Sequence, residues 1–342
     1  MTVHGCELPT VGVIGYGLMG KRHARLYKES GLCRLVAVAE AQEQGRREAA
    51  EALGVETYRD WRALLERDDL DAVSICLPDS AHFGAVSLAL ELGKDVLVEK
   101  PLTTSVDEAE RILELSRRSE GVLLVGHNVR FDARYWALHQ AIQEGTLGEV
   151  LHLSATRSSP VTGPLRYNGR ASLEFHVAIH DVDLMLWYAA SPVVQVHAVG
   201  VSNRLAHLGI FDAIFTTLKF GSGAIGMLES SWSLPETYPA TLDSKFKVVG
   251  TKGAALLDAL DQGVLVVGED SAIWPDTMRW TEVNGRAAGI LREEVLHFLA
   301  CVRREQPPLV GAAEACEAVK VVAAIRRSLE TGQPVRVDPA RE

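Results

Sequence analysis

The sequence predicts an α/β protein in two parts, an N-terminal Rossmann domain on a doubly wound parallel sheet and a C-terminal α/β domain with a large open, mainly antiparallel sheet. Three observations predict this. Gly15-Tyr16-Gly17-Leu18-Met19-Gly20 follows a short apolar segment at 11–14 and opens a helix-like stretch. Apolar segments alternate with helical patterns through the first third, the mark of parallel strands joined by crossover helices. In the second half, strand-like segments succeed one another without helices between them, several at glycine turns such as Gly221-Ser222-Gly223, as in an antiparallel sheet with one free face. At 342 residues the chain is long for a single core, and the division is placed at 1–126 and 127–342.

The elements follow in order. Strands are expected at 11–14, 35–40, 55–58 and 71–76, with Gly31 and Gly54 where the intervening helices end. A helix over 81–92 stops at Gly93 and leads into a strand at 95–99. Ser105-Val106-Asp107-Glu108 has capping-box spacing and starts a helix that stops near Gly121, before a strand at 122–125. The second part offers strands at 151–156, 193–201, 213–220, 224–232, 245–250, 254–258 and 264–267. Helical patterns at 291–304 and 312–329 and a short 334–337 segment close the chain.

Composition narrows the function. Hydrophobic residues make up 47% and charged residues 23%, which is globular, and a net charge of -10 argues against nucleic-acid or anionic-membrane partners. A small-molecule ligand is the expectation. Cys6, Cys33, Cys76, Cys301 and Cys316 are odd in number and form no CxxC pair, so they predict packing residues in a reducing compartment. The start of the sequence has no basic region followed by an apolar core, and a cytoplasmic location is expected.

A strand, a glycine turn and a helix N-terminus make a pyrophosphate cradle, because unpaired amides and the positive helix end face the anion. Gly15 permits the turn, Gly17 lets the backbone approach the phosphates, and Gly20 lets helix pack on strand, with Tyr16, Leu18 and Met19 completing the loop. Glu40 closes the next strand twenty residues past Gly20. Its carboxylate is suited to the adenosine ribose hydroxyls and repels a 2′-phosphate, so the cofactor expected is NAD, with NADP disfavoured. Leu77, Pro78 and His82, after the fourth strand, are placed along the path of ribose and nicotinamide; the competing reading of His82 is a helix-start residue.

Catalytic groups are expected at the carboxyl ends of the strands. Glu99-Lys100-Pro101 stands there, so the Lys100 ammonium can reach the space above the nicotinamide, with Pro101 fixing the backbone that aims it. The competing reading is a surface lysine at a strand boundary. The other cluster is Glu174-Phe175-His176-Val177-Ala178-Ile179-His180-Asp181-Val182-Asp183, where a helix places His176, His180 and Asp183 on neighbouring turns of one face. Removing a hydride from an alcohol carbon needs a group that takes the hydroxyl proton, and imidazole titrates near neutral pH. Zinc ligation by the histidine pair with Asp183 competes with this, but HExxH is absent and no metal is expected.

These motifs, with Gly126-His127-Asn128-Val129-Arg130-Phe131, resemble the glucose-fructose oxidoreductase, inositol dehydrogenase and MocA-like family of NAD(P)-dependent oxidoreductases over nearly the whole length. The resemblance implies a cis peptide before Pro101, oligomers built through the C-terminal sheet, and redox chemistry at a secondary alcohol of a sugar, inositol or related polyol. It also implies that Lys100 and His180 occupy the catalytic positions. Many members carry an aspartate four residues before the motif histidine, where this chain has His176. The base is therefore His180 alone, His176 alone or a coupled pair, and nucleotide-sugar or keto-sugar chemistry stands beside the inositol reading.

Asn128 and Arg130, after the sixth strand, are expected near cofactor and substrate, as are Arg157, Arg166, Tyr167 and Asn168 in the second domain. Arg130 would hydrogen-bond substrate hydroxyls, and Arg157 and Arg166 would suit an anionic sugar acid or nucleotide sugar. Trp136, Trp187 and Trp232 are assigned to core or interface. The expected activity is an NAD-dependent polyol dehydrogenase working as a homodimer or homotetramer. Two other classes stay open: an NAD-dependent glycoside-cleaving enzyme acting by transient oxidation and elimination, and a non-catalytic nucleotide-binding regulator.

Overall fold

A computed structural model describes residues 8–165, 169–260, 264–268 and 272–338. From the N-terminal end run β1 (Thr10–Ile14), α1 (Leu18–Ser30), β2 (Arg34–Ala39), α2 (Glu43–Leu53), β3 (Glu56–Tyr58), α3 (Trp61–Leu65), β4 (Ala72–Ile75), α4 (His82–Glu91), β5 (Asp95–Glu99), α5 (Val106–Arg118) and β6 (Leu123–Gly126). The strands form one parallel sheet of order β3-β2-β1-β4-β5-β6. Every residue of β1, β4, β5 and β6 is buried, as near-continuous apolar runs covered on both faces must be. Strand order reverses between β1 and β4, and the crevice at such a reversal is where open α/β sheets take ligands. Gly31 and Gly54 end α1 and α2 in the left-handed region, and the Ser105 hydroxyl caps α5 by accepting from the Glu108 N–H at 3.5 Å.

Next come a 3-10 turn at Asn128–Phe131, α6 (Ala133–Gln143), β7 (Val150–Pro160), α7 (Thr162–Leu165), a π-helical turn at Glu174–Ala178 and α8 (Ile179–Ala189). They are followed by β8 (Val193–Val201), β9 (Ala213–Phe220), β10 (Ile225–Leu234), β11 (Asp243–Gly250) and β12 (Ala254–Asp258). Small hairpins pair β13 (Val266–Val267) with β14 (Ala272–Ile273), and β15 (Glu282–Val283) with β16 (Arg286–Ala287). Last are α9 (Ile290–Val302), α10 (Ala312–Thr331) and β17 (Val335–Arg336).

The second sheet has order β12-β11-β7-β10-β9-β8-β17 and is antiparallel except where β7 lies parallel to β10. Its strands alternate. In β9, Ile214, Thr216, Leu218 and Phe220 are buried while Phe215 on the opposite face is half exposed. Val199, Phe215, Ile225, Met227 and Leu256 are exposed on β8, β9, β10 and β12.

The described residues divide into two compact units: those up to His127 together with Glu282–Cys316, and Asn128–Thr281 together with those from Glu317 on. The expected division after residue 126 thus needs correction, because residues 282–316 return to the first unit. Arg304 donates to the Asp95 carboxylate at 2.8 Å and the Val125 N–H donates to the Val310 carbonyl at 2.9 Å, so this segment completes the first sheet's surroundings. A helical pattern in a sequence does not say which sheet it will cover. No helix among the described residues is long and apolar enough to cross a membrane.

Candidate active site

The turn between β1 and α1 has the shape a pyrophosphate needs. Gly15 sits at φ 87°, and a Cβ there would come within 2.6 Å of the Cys76 carbonyl oxygen. At Gly20 a Cβ would lie 1.8 Å from the Gly15 carbonyl oxygen, so only glycine lets α1 close on the turn. Gly17 differs: a Cβ would meet nothing within 4 Å, which leaves room over the loop for a ligand. Gly17 offers α1 no side-chain cap, and no acidic residue stands in the first turn, so the first amides and the positive helix end are left for an anion. Tyr16 is buried, Met19 is half-buried and Leu18 is exposed.

Glu40 lies just past β2. Its carboxylate accepts from the Tyr16 N–H and the Gln42 N–H, both at 2.9 Å, which ties it to the glycine turn and leaves lone pairs for two hydroxyls. Arg46 donates to the carbonyls of Glu40 and Ala41 at 2.8 and 2.7 Å. The residues fit a dinucleotide whose ribose carries free hydroxyls.

Leu77 and Pro78 follow β4 at the carboxyl edge, half-buried and exposed respectively. His82, expected along the cofactor path, is turned inward, as is the Glu99 carboxylate. The His82 ring is 1% exposed, with Nδ1 2.8 Å from the Pro101 carbonyl oxygen and Nε2 2.9 Å from the Leu77 carbonyl oxygen. Both ring nitrogens are thereby occupied in tying the loop after β4 to the loop after β5, so the helix-start reading is the better one. Lys100 follows β5 directly, half-buried, and the Lys100–Pro101 peptide is cis. Glu99 is buried, with its Oε1 3.3 Å from His23 Nε2. Burial pushes the Glu99 carboxyl up, but the His23 imidazole and the charge of Lys100 outweigh it and hold the group below the ordinary value.

The histidine segment belongs to the second unit, and its geometry departs from a plain helix. His176 lies within the π-helical turn and His180 in the first turn of α8, both half-buried. The turn is anchored by Arg326, which donates to the Glu174 carboxylate at 2.8 Å and to the Ser172 hydroxyl at 3.0 Å. His176 lies 5.8 Å from the Trp232 ring, centroid to centroid. A π-helical turn within an otherwise α-helical run commonly marks a functional site.

Two expectations for substrate residues need correction. Arg130 gives Nε and Nη2 to the Asp183 carboxylate at 2.8 and 2.6 Å, and Arg157 gives Nε and Nη2 to Asp181 at 2.7 and 2.8 Å. All four side chains are buried. The guanidinium forks expected to meet substrate, Arg130 at its hydroxyls and Arg157 at an anionic group, instead clamp α8 on either side of Val182. Asp183, with both oxygens taken by Arg130, is also removed as a third zinc ligand for the histidine pair. Asn128 is half-buried in the 3-10 turn that carries Arg130; Arg166, Tyr167 and Asn168 lie outside the described residues. Nothing in the sequence spacing signalled that Asp181 would pair with Arg157 and Glu174 with Arg326 to anchor the segment that carries the histidines.

Comparison with known proteins agrees with this geometry. The profile described as "Oxidoreductase family, NAD-binding Rossmann fold" matches residues 10–127, and the "GFO/IDH/MocA C-terminal domain" matches residues 135–256, together well over half of the chain. The chain belongs to the Gfo/Idh/MocA oxidoreductase family. Among curated members, a myo-inositol 2-dehydrogenase of Thermotoga maritima is 28% identical, covering 96% of this chain and 98% of the relative. A scyllo-inositol 2-dehydrogenase (NAD(+)) of Bacillus subtilis is 29% identical, covering 96% of each chain. The solved scyllo-inositol dehydrogenase of Lactobacillus casei with bound NAD(H) and scyllo-inositol superposes with TM-score 0.83 over 97% of this chain and 99% of that one; at 21% identity that likeness concerns the fold. This Gfo/Idh/MocA member is an NAD-dependent oxidoreductase.

Proposed function

We propose that the protein oxidises a secondary alcohol of an inositol or a related sugar or polyol, with Lys100 and His180 as its catalytic groups. The observation that carries this reading is the position of Lys100, directly after β5 on the same sheet whose β1–α1 turn fits a pyrophosphate. Bound NAD supplies a nicotinamide ring that takes up the hydride. His180 accepts the hydroxyl proton at an imidazole nitrogen, and the Lys100 ammonium donates to the same oxygen as negative charge develops on it. His176, one turn earlier, is the second candidate base. Curated relatives named for different inositol isomers support the substrate class without fixing the stereochemistry.

NADH formation across inositols, aldoses, sugar acids and nucleotide sugars tests the proposal, with Lys100→Ala, His176→Ala and His180→Ala measured beside the wild type. General acid–base groups are worth about 10²–10⁴-fold, and a loss of that size is expected for Lys100→Ala and His180→Ala. Tight NADH binding with no turnover of any polyol would sink this reading and point to glycoside cleavage or regulation.

We also infer that the exposed face of the second sheet joins copies of the chain into a dimer or tetramer. Phe215, Ile225 and Met227 are at least half exposed on the neighbouring strands β9 and β10, and Leu256 is exposed at the sheet's edge on β12, an apolar surface of the kind that marks an interaction face. Phe215→Glu with Met227→Glu is expected to give a monomer by light scattering; an unchanged mass would remove the sheet as interface.

A further inference from the structure

Beneath the glycine turn, three side chains from three elements of the first unit meet away from water. His23 from α1, Glu99 from β5 and Glu294 from α9 each bring one donor or acceptor atom, and these atoms lie within 4.8 Å of one another. His23 is 1% exposed, Glu99 8% and Glu294 0%. The His23 ring is fixed from behind, its Nδ1 3.1 Å from the Ser74 hydroxyl, which itself pairs with the Tyr27 hydroxyl at 2.6 Å. Neither oxygen of Glu294 has a hydrogen-bond partner among the described residues.

Two ionised carboxylates in this position would repel each other without solvent, and His23 can compensate at most one of them. An unpaired buried carboxylate is so costly that such a group binds a proton instead. The charges around the cluster are unevenly placed. His23, Lys100 and His82 all favour the ionised form of Glu99, whereas only the Glu99 charge acts on Glu294, adding to burial in pushing that carboxyl well above its ordinary value. The Cys76 thiol and the Tyr27 hydroxyl also face the cluster, and burial raises both, so neither brings charge.

We propose that His23, Glu99 and Glu294 form a proton-binding site, in which Glu294, which has no hydrogen-bond partner of its own among the described residues, carries the proton as a carboxylic acid beside the Glu99 carboxylate. The bound proton removes the repulsion that would otherwise push α9 from the end of β5, one residue before Lys100. It makes Glu294 a support for that strand end and leaves it no part in substrate chemistry.

The test compares full-length wild type with Glu294→Gln, which keeps the shape and a donor but cannot titrate. A carboxyl whose folded value is raised contributes stability that is fully present below its unfolded value and is lost as pH rises towards the folded one. The folding equilibrium of the wild type, measured by urea denaturation, is therefore expected to fall relative to Glu294→Gln by up to about tenfold per pH unit above pH 5. A difference flat from pH 5 to 8 would overturn the site. Infrared spectra give a second readout that survives a variant that fails to fold: a buried carboxylic-acid carbonyl band at pH 8 in wild type supports the proposal, and its absence refutes it. One equivalent of a divalent metal in the purified wild type would also overturn it, by showing a cation where the proton is placed. No readout uses substrate or NAD, so the outcome stands apart from the proposed activity.

Discussion

Arg130 and Asp183 meet fork to fork, with both carboxylate oxygens of Asp183 taken and both residues almost fully buried. Arg157 and Asp181 repeat the arrangement two residues earlier on α8. The four charges cancel in pairs, and the paired carboxylates fix the rotation of the helix that carries His180.

Breaking one pair is expected to be severe. Asp181→Ala strands the Arg157 guanidinium in the interior, and the expected loss is about 3–5 kcal/mol by urea denaturation. Replacing both partners by leucine and methionine is expected to recover most of it, because the penalty belongs to the unpaired charge. A loss under about 1 kcal/mol for Asp181→Ala would show that the pair is not desolvated as the structure has it.

The glycines of the first turn separate folding from binding. Gly17→Ala is expected to fold normally, since its Cβ meets nothing, and to bind NADH at least about tenfold more weakly because the methyl enters the ligand's space. Gly20→Ala drives a Cβ into the Gly15 carbonyl and is expected to lower the melting temperature. Fluorescence titration and calorimetry on both variants check this; equal NADH affinity in Gly17→Ala and wild type would remove the loop from the cofactor site.

Cofactor choice is expected to turn on Glu40. Glu40→Ser removes the carboxylate that repels a 2′-phosphate and leaves Arg46 beside the vacated space. The NADP-to-NAD ratio of kcat/KM is expected to rise about tenfold or more, equivalent to about 1.4 kcal/mol. An unchanged ratio would place the discrimination elsewhere.

Cysteine reactivity offers a check on burial. Burial pushes the thiols of Cys33 and Cys301 up to about 11, so at pH 8 almost none is thiolate. Alkylation mapped by mass spectrometry is expected to spare both in the native protein, to rise with pH towards that value, and to reach them fully in denaturant. Fast native labelling of Cys301 at pH 8 would contradict the packing of α9.

Much of the framework was legible in both halves of the chain. Val193–Val201, Ala213–Phe220 and Ala254–Asp258 match their expected strands to the residue, because period-two alternation and glycine turns act locally. β7 outran its expected end and continues to Pro160, since pairing with β10 and β11 on both sides sustains backbone that its serines and threonine would not. The glycine turn, Glu40 and Lys100 stand after β1, β2 and β5 as expected, because their places are tied to sequence order. Arg130 and Arg157 were misread because a guanidinium in a sequence shows its charge and not its partner: Asp183 stands 53 residues from Arg130, and Asp181 stands 24 from Arg157. The π-helical turn was invisible for a similar reason, as its first residue, Glu174, is held by Arg326, 152 residues away.

The return of residues 282–316 to the first unit sets the order in which this protein can be assembled on the ribosome. β1 to β6 emerge early, yet Asp95 waits for Arg304, and the Val125 N–H for the Val310 carbonyl, until β7 to β12 of the second sheet have been synthesised. The half of the molecule that is translated first is thus finished only after most of the other half has been made, and a chain fragment ending at residue 127 would be a nucleotide-binding sheet with its closing helix missing.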